Sequence, residues 1–220
     1  MADDTRPALH TSPVHVPVFD ALRGTDHPGL ALCHLVPSRV RGPAHPSKGV
    51  GSPDAVSGEI LALLAGDVAE DASAEDASAV FCTCSTIGGV AESAAATLGV
   101  PVLRVDRPMA ARCRGTGTRG GTRDRLRAPG TDPRAARRSD GDRPVEVRAV
   151  MVDGAWACFE ADDRHGCPDL VAATADGVAD ADAIVPAQAS MADAVTRTAT
   201  RIPVLSSPRP GLAAAAAAAR

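Results

Sequence analysis

The sequence predicts an α/β fold of two pseudo-symmetric lobes, each a parallel sheet flanked by helices. Three observations carry that prediction. The first is the run Ala79-Val80-Phe81-Cys82-Thr83-Cys84-Ser85-Thr86-Ile87-Gly88-Gly89-Val90, apolar at its start and closing on a cysteine, two hydroxyls and two glycines. Val80 and Phe81 suit a strand buried on both faces, and the small polar residues after them suit its turn into a helix. The second is that Asp76-Ala77-Ser78 through Thr86-Ile87 can be laid without a gap on Asp180-Ala181-Asp182-Ala183-Ile184-Val185-Pro186-Ala187-Gln188-Ala189-Ser190-Met191. The third is that both copies run on into a similar second strand, Val100-Pro101-Val102-Leu103 and Ile202-Pro203-Val204-Leu205. A strand-helix-strand unit that occurs twice implies two similar lobes. The alignment sets Gln188 opposite Cys84.

Taken in order, Pro7 to Thr11 reads as a short first strand with the hydroxyls of Thr11 and Ser12 at its end, and Val16 to Leu22 as a helix. Leu30 to Val36 reads as the next strand. Arg39 to Pro53, rich in Gly, Pro and Ser, is a loop; Asp54 to Ala69 is an amphipathic helix and Glu70 to Ser78 a polar linker. After the strand around Val80, Ser85 or Thr86 is placed to cap a helix carrying Val90 to Leu98. Val145 to Val152 alternates like a strand, Ala155 to Phe159 follows, and Asp169 to Ala179 is a helix leading into the second copy of the repeat. The alanine-rich tail reads as a helix. The lobes are expected at 1–105 and 106–205, with a C-terminal helix over 206–220.

Composition narrows the function. A chain of 220 residues with 45% hydrophobic content can bury a core, and with 2% aromatic residues that core is built from Ala, Val and Leu. A net charge of -4 gives no reason to expect nucleic acid, and the shortage of rings removes the stacking platforms that single strands use. No apolar run is long enough to span a bilayer, and the acidic start Met1-Ala2-Asp3-Asp4 is unlike a signal peptide, so the expected compartment is the cytoplasm. Cys33, Cys82, Cys84, Cys113, Cys158 and Cys167 are then expected as thiols rather than disulfides. Association into a homo-oligomer is left open.

Residues 112–143 break the pattern. Ten of these 32 residues are Arg against Asp124, Asp132, Asp140 and Asp142, and none is Val, Ile, Phe or Met. By composition this is a disordered basic segment, yet the repeat puts the first strand of the second lobe here. The genetic code reconciles the two. Read one base later, Arg-Gly, Gly-Thr, Thr-Arg and Asp-Arg codons permit, from Arg112 onward, Ala-Val-Glu-x-Leu-Gly-x-Arg-Val-Gly-Val-Leu-Ala-Thr-Ala-Ser, and near Thr131 to Arg137 Pro-Thr-Arg-Ala-Leu-Leu. That is a strand, a Thr-containing loop and a new helix, so the segment reads as translated out of frame.

Cys84 falls where a strand ends and a helix begins, the carboxyl edge at which open parallel sheets bind ligands. The N–H groups of a helix start can seat an anion, and such positions favour a thiolate. Cys82, two residues deeper, reads as core. Thr11 and Ser12 suit a helix cap. His10 and His15 flank the same edge and read as structural residues. Cys82, Cys84, His165 and Cys167 could supply four metal ligands, but a one-residue spacing inside a strand is not that of a zinc knuckle, so no metal is expected.

With Leu9-His10-Thr11-Ser12-Pro13-Val14, Cys84-Ser85-Thr86-Ile87-Gly88-Gly89 with Glu92, Leu103-Arg104-Val105-Asp106-Arg107-Pro108-Met109-Ala110, Ala187-Gln188-Ala189-Ser190-Met191 and Pro203-Val204-Leu205-Ser206-Ser207-Pro208, the chain resembles the aspartate/glutamate/hydantoin racemase superfamily. The resemblance covers most of the chain outside 112–143. It implies a cofactor-independent racemase or isomerase acting by proton transfer at the carbon beside the carboxylate of a small acid or amino acid. Cys84 would be the acid/base, with Thr11, Ser12, Ser85, Thr86, Gln188 and Ser190 as substrate contacts. Members carry one such cysteine in each lobe; here Gln188 stands in place of the second, and an amide has no proton to exchange near neutral pH. One-sided protonation, as in the related arylmalonate decarboxylases, is therefore an alternative, although those keep the other cysteine. A non-catalytic small-acid-binding protein, or the inactive product of a shifted gene, is another.

Overall fold

The computed structural model describes residues 5–36, 79–85, 87–116, 122–127, 146–161, 163 and 165–218, which fall into two compact units. One runs to Asp106 and takes back the chain from Pro208 onward; the other is Arg107–Ser207.

In the first unit, β1 (Thr5–Leu9) leads through a 3-10 turn (Pro13–His15) into α1 (Val16–Asp26) and β2 (Ala31–Leu35). Pro13 and Pro17 fit helix starts because their missing N–H groups would have no partner there anyway. The chain then supplies β3 (Val80–Cys82), two short helices α2 (Gly88–Ser93) and α3 (Ala95–Leu98), and β4 (Val102–Arg104). Gly99, at φ +71°, ends α3 in the left-handed region that glycine tolerates best, and turns the chain into β4. All pairings are parallel, in the order β2-β1-β3-β4. Phe19 of α1 and Phe81 of β3 meet edge to face at 5.5 Å between ring centres, both fully buried together with Leu9 and Val80.

In the second unit α4 (Arg107–Thr116) precedes β5 (Thr122–Arg127), β6 (Glu146–Met151), α5 (Ala155–Glu160), α6 (Gly166–Asp176), β7 (Ala183–Pro186) and a 3-10 helix over Ala189–Thr196. The parallel order is β6-β5-β7. Its core joins Val152, Ala155, Val171, Ala172, Ala175, Ile184, Met191 and Ala194.

The repeat read from the sequence is visible atom by atom. The Val80 N–H donates to the Pro101 carbonyl at 2.9 Å, and the Ile184 N–H donates to the Pro203 carbonyl at 2.9 Å. Val80 pairs with Val102 and Ile184 with Val204, equivalent positions of the two copies. The winding repeats too, since β1-β2-β3 and β5-β6-β7 each place the middle strand in sequence on one side of the first and the third on the other.

Several expectations are corrected. The helix of the first copy breaks in two at Ala94, that of the second is wound as 3-10, and the second copy of strand four is reduced to the single bridge at Val204. The C-terminal helix α7 (Pro208–Ala217) is not separate: it belongs with the first unit, where a Cβ on Gly211 would stand 2.6 Å from the Val105 carbonyl. Disorder read from composition does not extend over Arg112 to Thr116, which lie in α4, or over Thr122 to Arg127, which form the central strand β5. Strand pairing uses backbone groups that every residue carries, whereas composition reads only side chains. Residues 117–121 and 128–143, the loop over 39–53 and the helix over 54–69 lie outside the described residues.

Candidate active site

The chain leaves β1 to build β2 on one side, then returns to build β3 on the other, so the winding reverses between β1 and β3. In a parallel sheet such a reversal opens a crevice at the carboxyl ends of the two strands. Leu9 is level with Cys82 across the pair. Two residues farther along each chain, Thr11 and Cys84 emerge at the same sheet edge, on strands about 4.8 Å apart. Thr11, Ser12, Cys84 and Ser85 are all half-buried there. Ser12 caps the 3-10 turn, its Oγ accepting from the Val14 N–H at 3.5 Å. The N-cap position of α2 is Ile87, which makes no side-chain hydrogen bond. Thr86 lies outside the described residues.

The two strand-end thiols differ in surroundings. Cys82 is fully buried among Leu9, Val80, Ile87, Ala91 and Val102, and donates weakly to the Cys84 carbonyl at 3.5 Å. Burial, reinforced by the neighbouring Cys84, pushes its pKa well above the ordinary thiol value. Cys82 is thus held neutral, whereas Cys84 is half-exposed. None of the six cysteines is in a disulfide.

Arg104, at the end of β4, lies across the start of α2. Its Nε and Nη2 donate to the two oxygens of Asp106 at 2.9 and 2.6 Å, and Nη1 is 3.5 Å from Glu92. Burial works against its charge, but the hydrogen bonds and charge of Asp106 outweigh it, and the Arg104 pKa is raised. Gly88 makes room for this side chain: a Cβ there would stand 2.8 Å from Arg104 Nε. The glycine pair after Cys84 is thereby explained by packing as much as by turning.

Behind the crevice runs a polar row absent from the sequence reading. Thr83 Oγ1 is 2.7 Å from His10 Nδ1, His10 Nε2 is 2.8 Å from His34 Nδ1, and His34 Nε2 is 3.1 Å from Asp20 Oδ1. Burial, then the nearby His34 and His15, lower the His10 pKa to about 3. Burial lowers that of His15 to about 4, and its Nδ1 has no hydrogen-bond partner among the described residues. Only His10 and His15 had drawn notice in the sequence; nothing in the spacing joins Asp20, His34 and Thr83, which come from three elements.

Gln188 and Ser190 stand in the second unit at the carboxyl end of β7, both half-buried. Gln188 is extended, at φ -130° and ψ 150°, and its carbonyl accepts from the Met191 N–H at 3.1 Å. His165 and Cys167 lie in that unit at the start of α6, whereas Cys82 and Cys84 lie in the first. No group of three or more His, Cys, Asp or Glu able to hold a metal ion occurs among the described residues. No helix among them is long and apolar enough to cross a membrane.

No family model matches the chain, and no curated protein matches it in sequence. Solved structures do match in fold. Glutamate racemase from Thermus thermophilus, in complex with β-chloro-D-alanine, is similar at a TM-score of 0.68 and 17% identity, over 99% of this chain and 81% of that one. Glutamate racemase from Francisella tularensis, in complex with D-glutamate, matches at 0.68 and 10%, over 98% and 81%. Arylmalonate decarboxylase matches at 0.56 and 14%, over 98% and 92%. The chain has the fold of the aspartate/glutamate racemases, an α/β architecture of parallel strands flanked by helices.

Proposed function

We propose that the protein is a cofactor-independent, racemase-like isomerase that moves a proton at the carbon next to the carboxylate of a small acid or amino acid, with Cys84 as the acid/base. The observation that carries the reading is the half-exposed Cys84 thiol two residues beyond the Leu9–Cys82 pair, at the carboxyl end of β3, where the winding of the sheet reverses. A carboxylate held by the hydroxyls of Thr11, Ser12, Ser85 and Thr86 would present its neighbouring carbon to that thiol. The Cys84 thiolate takes the proton and the electron pair spreads into the carboxylate; a proton returned by the same thiol gives exchange at that carbon, and one delivered from water to the opposite face gives the other enantiomer. Gln188 and Ser190 enter the proposal through the repeat alone, as polar contacts for substrate. The fold neighbours that bind D-glutamate and β-chloro-D-alanine support a ligand of this size and charge. The thiols suit a reducing compartment, and we assign the protein to the cytoplasm on that basis.

A second reading rests on Gln188. An amide at the strand end equivalent to Cys84 leaves one exchangeable group, which favours one-sided protonation of the kind a decarboxylase needs. The discriminating experiment is a pair of variants. Cys84→Ser keeps the shape but loses the ionisable thiol, so proton transfer should fall by orders of magnitude, while Cys82→Ser should change mainly stability. Equal losses in the two would show that the strand matters and the thiol does not.

A further inference from the structure

The row behind the crevice can be read by counting protons. It has four contacts: Thr83 Oγ1 to the Leu9 carbonyl at 3.0 Å, Thr83 Oγ1 to His10 Nδ1, His10 Nε2 to His34 Nδ1, and His34 Nε2 to Asp20. With both imidazoles neutral, Thr83, His10 and His34 bring one proton each, one fewer than the contacts. The carbonyl of Leu9 and the carboxylate of Asp20 can only accept. Every contact is a hydrogen bond if His34 carries two protons: it donates to Asp20 and to His10 Nε2, His10 Nδ1–H donates to Thr83, and Thr83 donates to Leu9.

We propose that Thr83, His10, His34 and Asp20 form a proton-ordered row with His34 as the imidazolium, and that this row positions the loop bearing Cys84. The row crosses the first sheet from β3 to β1 to β2 and ends on α1, tying the β1 end that carries Thr11 to the β3 end that carries Cys84. Its outer end reaches water, the Asp20 side chain being 46% exposed, while Thr83 and His10 are buried. Among the described residues, Arg23 of α1 lies 3.7 Å from Asp20, His15, from the turn before α1, has its ring centre 6.3 Å from that of His10, and the Phe19 ring centre is 5.7 Å from that of His10; the fully buried Arg6 is on β1, the strand that leads into His10. The low proton affinity of His10 leaves it the neutral link. Loss of the His34 proton removes one of the four hydrogen bonds, and the deficit can pass along the row to Thr83, the residue joined to Cys84. These four are positioning residues, and their link to catalysis rests on the proposed function.

The test begins with the unaltered full chain, so no variant has to fold. Side-chain ¹⁵N NMR near pH 6 should show His34 protonated at both nitrogens and His10 at Nδ1 alone. A neutral His34, or His10 protonated at Nε2, overturns the row whatever Cys84 does. The coupling is read by iodoacetamide alkylation of Cys84 against pH, followed by peptide mass spectrometry. Beside thiol ionisation, the profile should contain a second step of roughly threefold, the size one redirected hydrogen bond gives. The step should vanish in Asp20→Asn and His34→Asn, survive in Asp20→Glu, and be missing from the half-buried Cys158 of the second unit. A Cys84 profile unchanged in Asp20→Asn overturns the positioning role. If the row and the step are found but Cys84→Ser leaves proton transfer intact, the proposed function fails and the row stands.

Discussion

Gly88 and Arg104 show how one residue restricts another at this site. The Arg104 side chain is pinned by two hydrogen bonds to Asp106 and is 8% exposed, so it cannot swing aside for a methyl group. Gly88→Ala should therefore destabilise the fold by about 1 to 3 kcal/mol, seen as a lower denaturation midpoint, whereas Gly89→Ala, with 3.8 Å to Arg104, should cost less than Gly88→Ala. The buried histidines set a pH dependence. His10 and His15 have folded pKa values of about 3 and about 4 against 6.5 ordinarily, so the unfolded chain binds more protons in between. Their contribution is intact above pH 6.5 and is lost as pH falls toward 4, at up to about 1.4 kcal/mol per pH unit for each histidine. Urea midpoints measured between those limits should fall with acidification; a flat profile would mean that these rings are solvated. At this scale the position of Cys84 just past a strand end was legible, because an apolar run closing on small polar residues is a local pattern. Arg104 with Gly88, and Asp20 with His34, were not, because each pair is brought together only by the sheet.

Among the elements, the strands were the most legible. β3 and β7 announce themselves by unbroken apolar runs, and the gap-free repeat foretold the matching hydrogen bonds to Pro101 and Pro203. The helices following them were less legible, since the split at Ala94 and the 3-10 winding of Ala189–Thr196 depend on packing rather than on caps. β5 is the element where sequence and architecture disagree. It lies at the centre of its sheet, yet reads Thr-Arg-Asp-Arg-Leu-Arg, while its neighbour β7 reads Ala-Ile-Val-Pro and is buried throughout. The out-of-frame reading predicts that the DNA across this segment, read one base later, encodes an apolar strand. A frame-corrected chain should then gain several kcal/mol of stability, because charged side chains at a central strand are replaced by ones that can be buried. Codons that give no apolar run in that frame would dispose of the idea.

For the whole molecule, the fold was legible because the same strand order is wound twice, and repetition is a property of sequence before it is one of structure. The division of the chain was less so: α7 returns to the first unit because Gly211 lets it approach Val105, a contact between residues more than a hundred positions apart. The central claim is that Cys84 exchanges the proton beside a carboxylate. The most direct measurement is NMR of small α-amino acids and 2-substituted carboxylates incubated with the full chain in D₂O. The account predicts deuterium entering the carbon next to the carboxylate of at least one of them, catalytically with the unaltered chain and at least about a hundredfold more slowly with Cys84→Ser. Exchange that is as fast in Cys84→Ser, or that is undetectable with the unaltered chain for every acid tried, would contradict it.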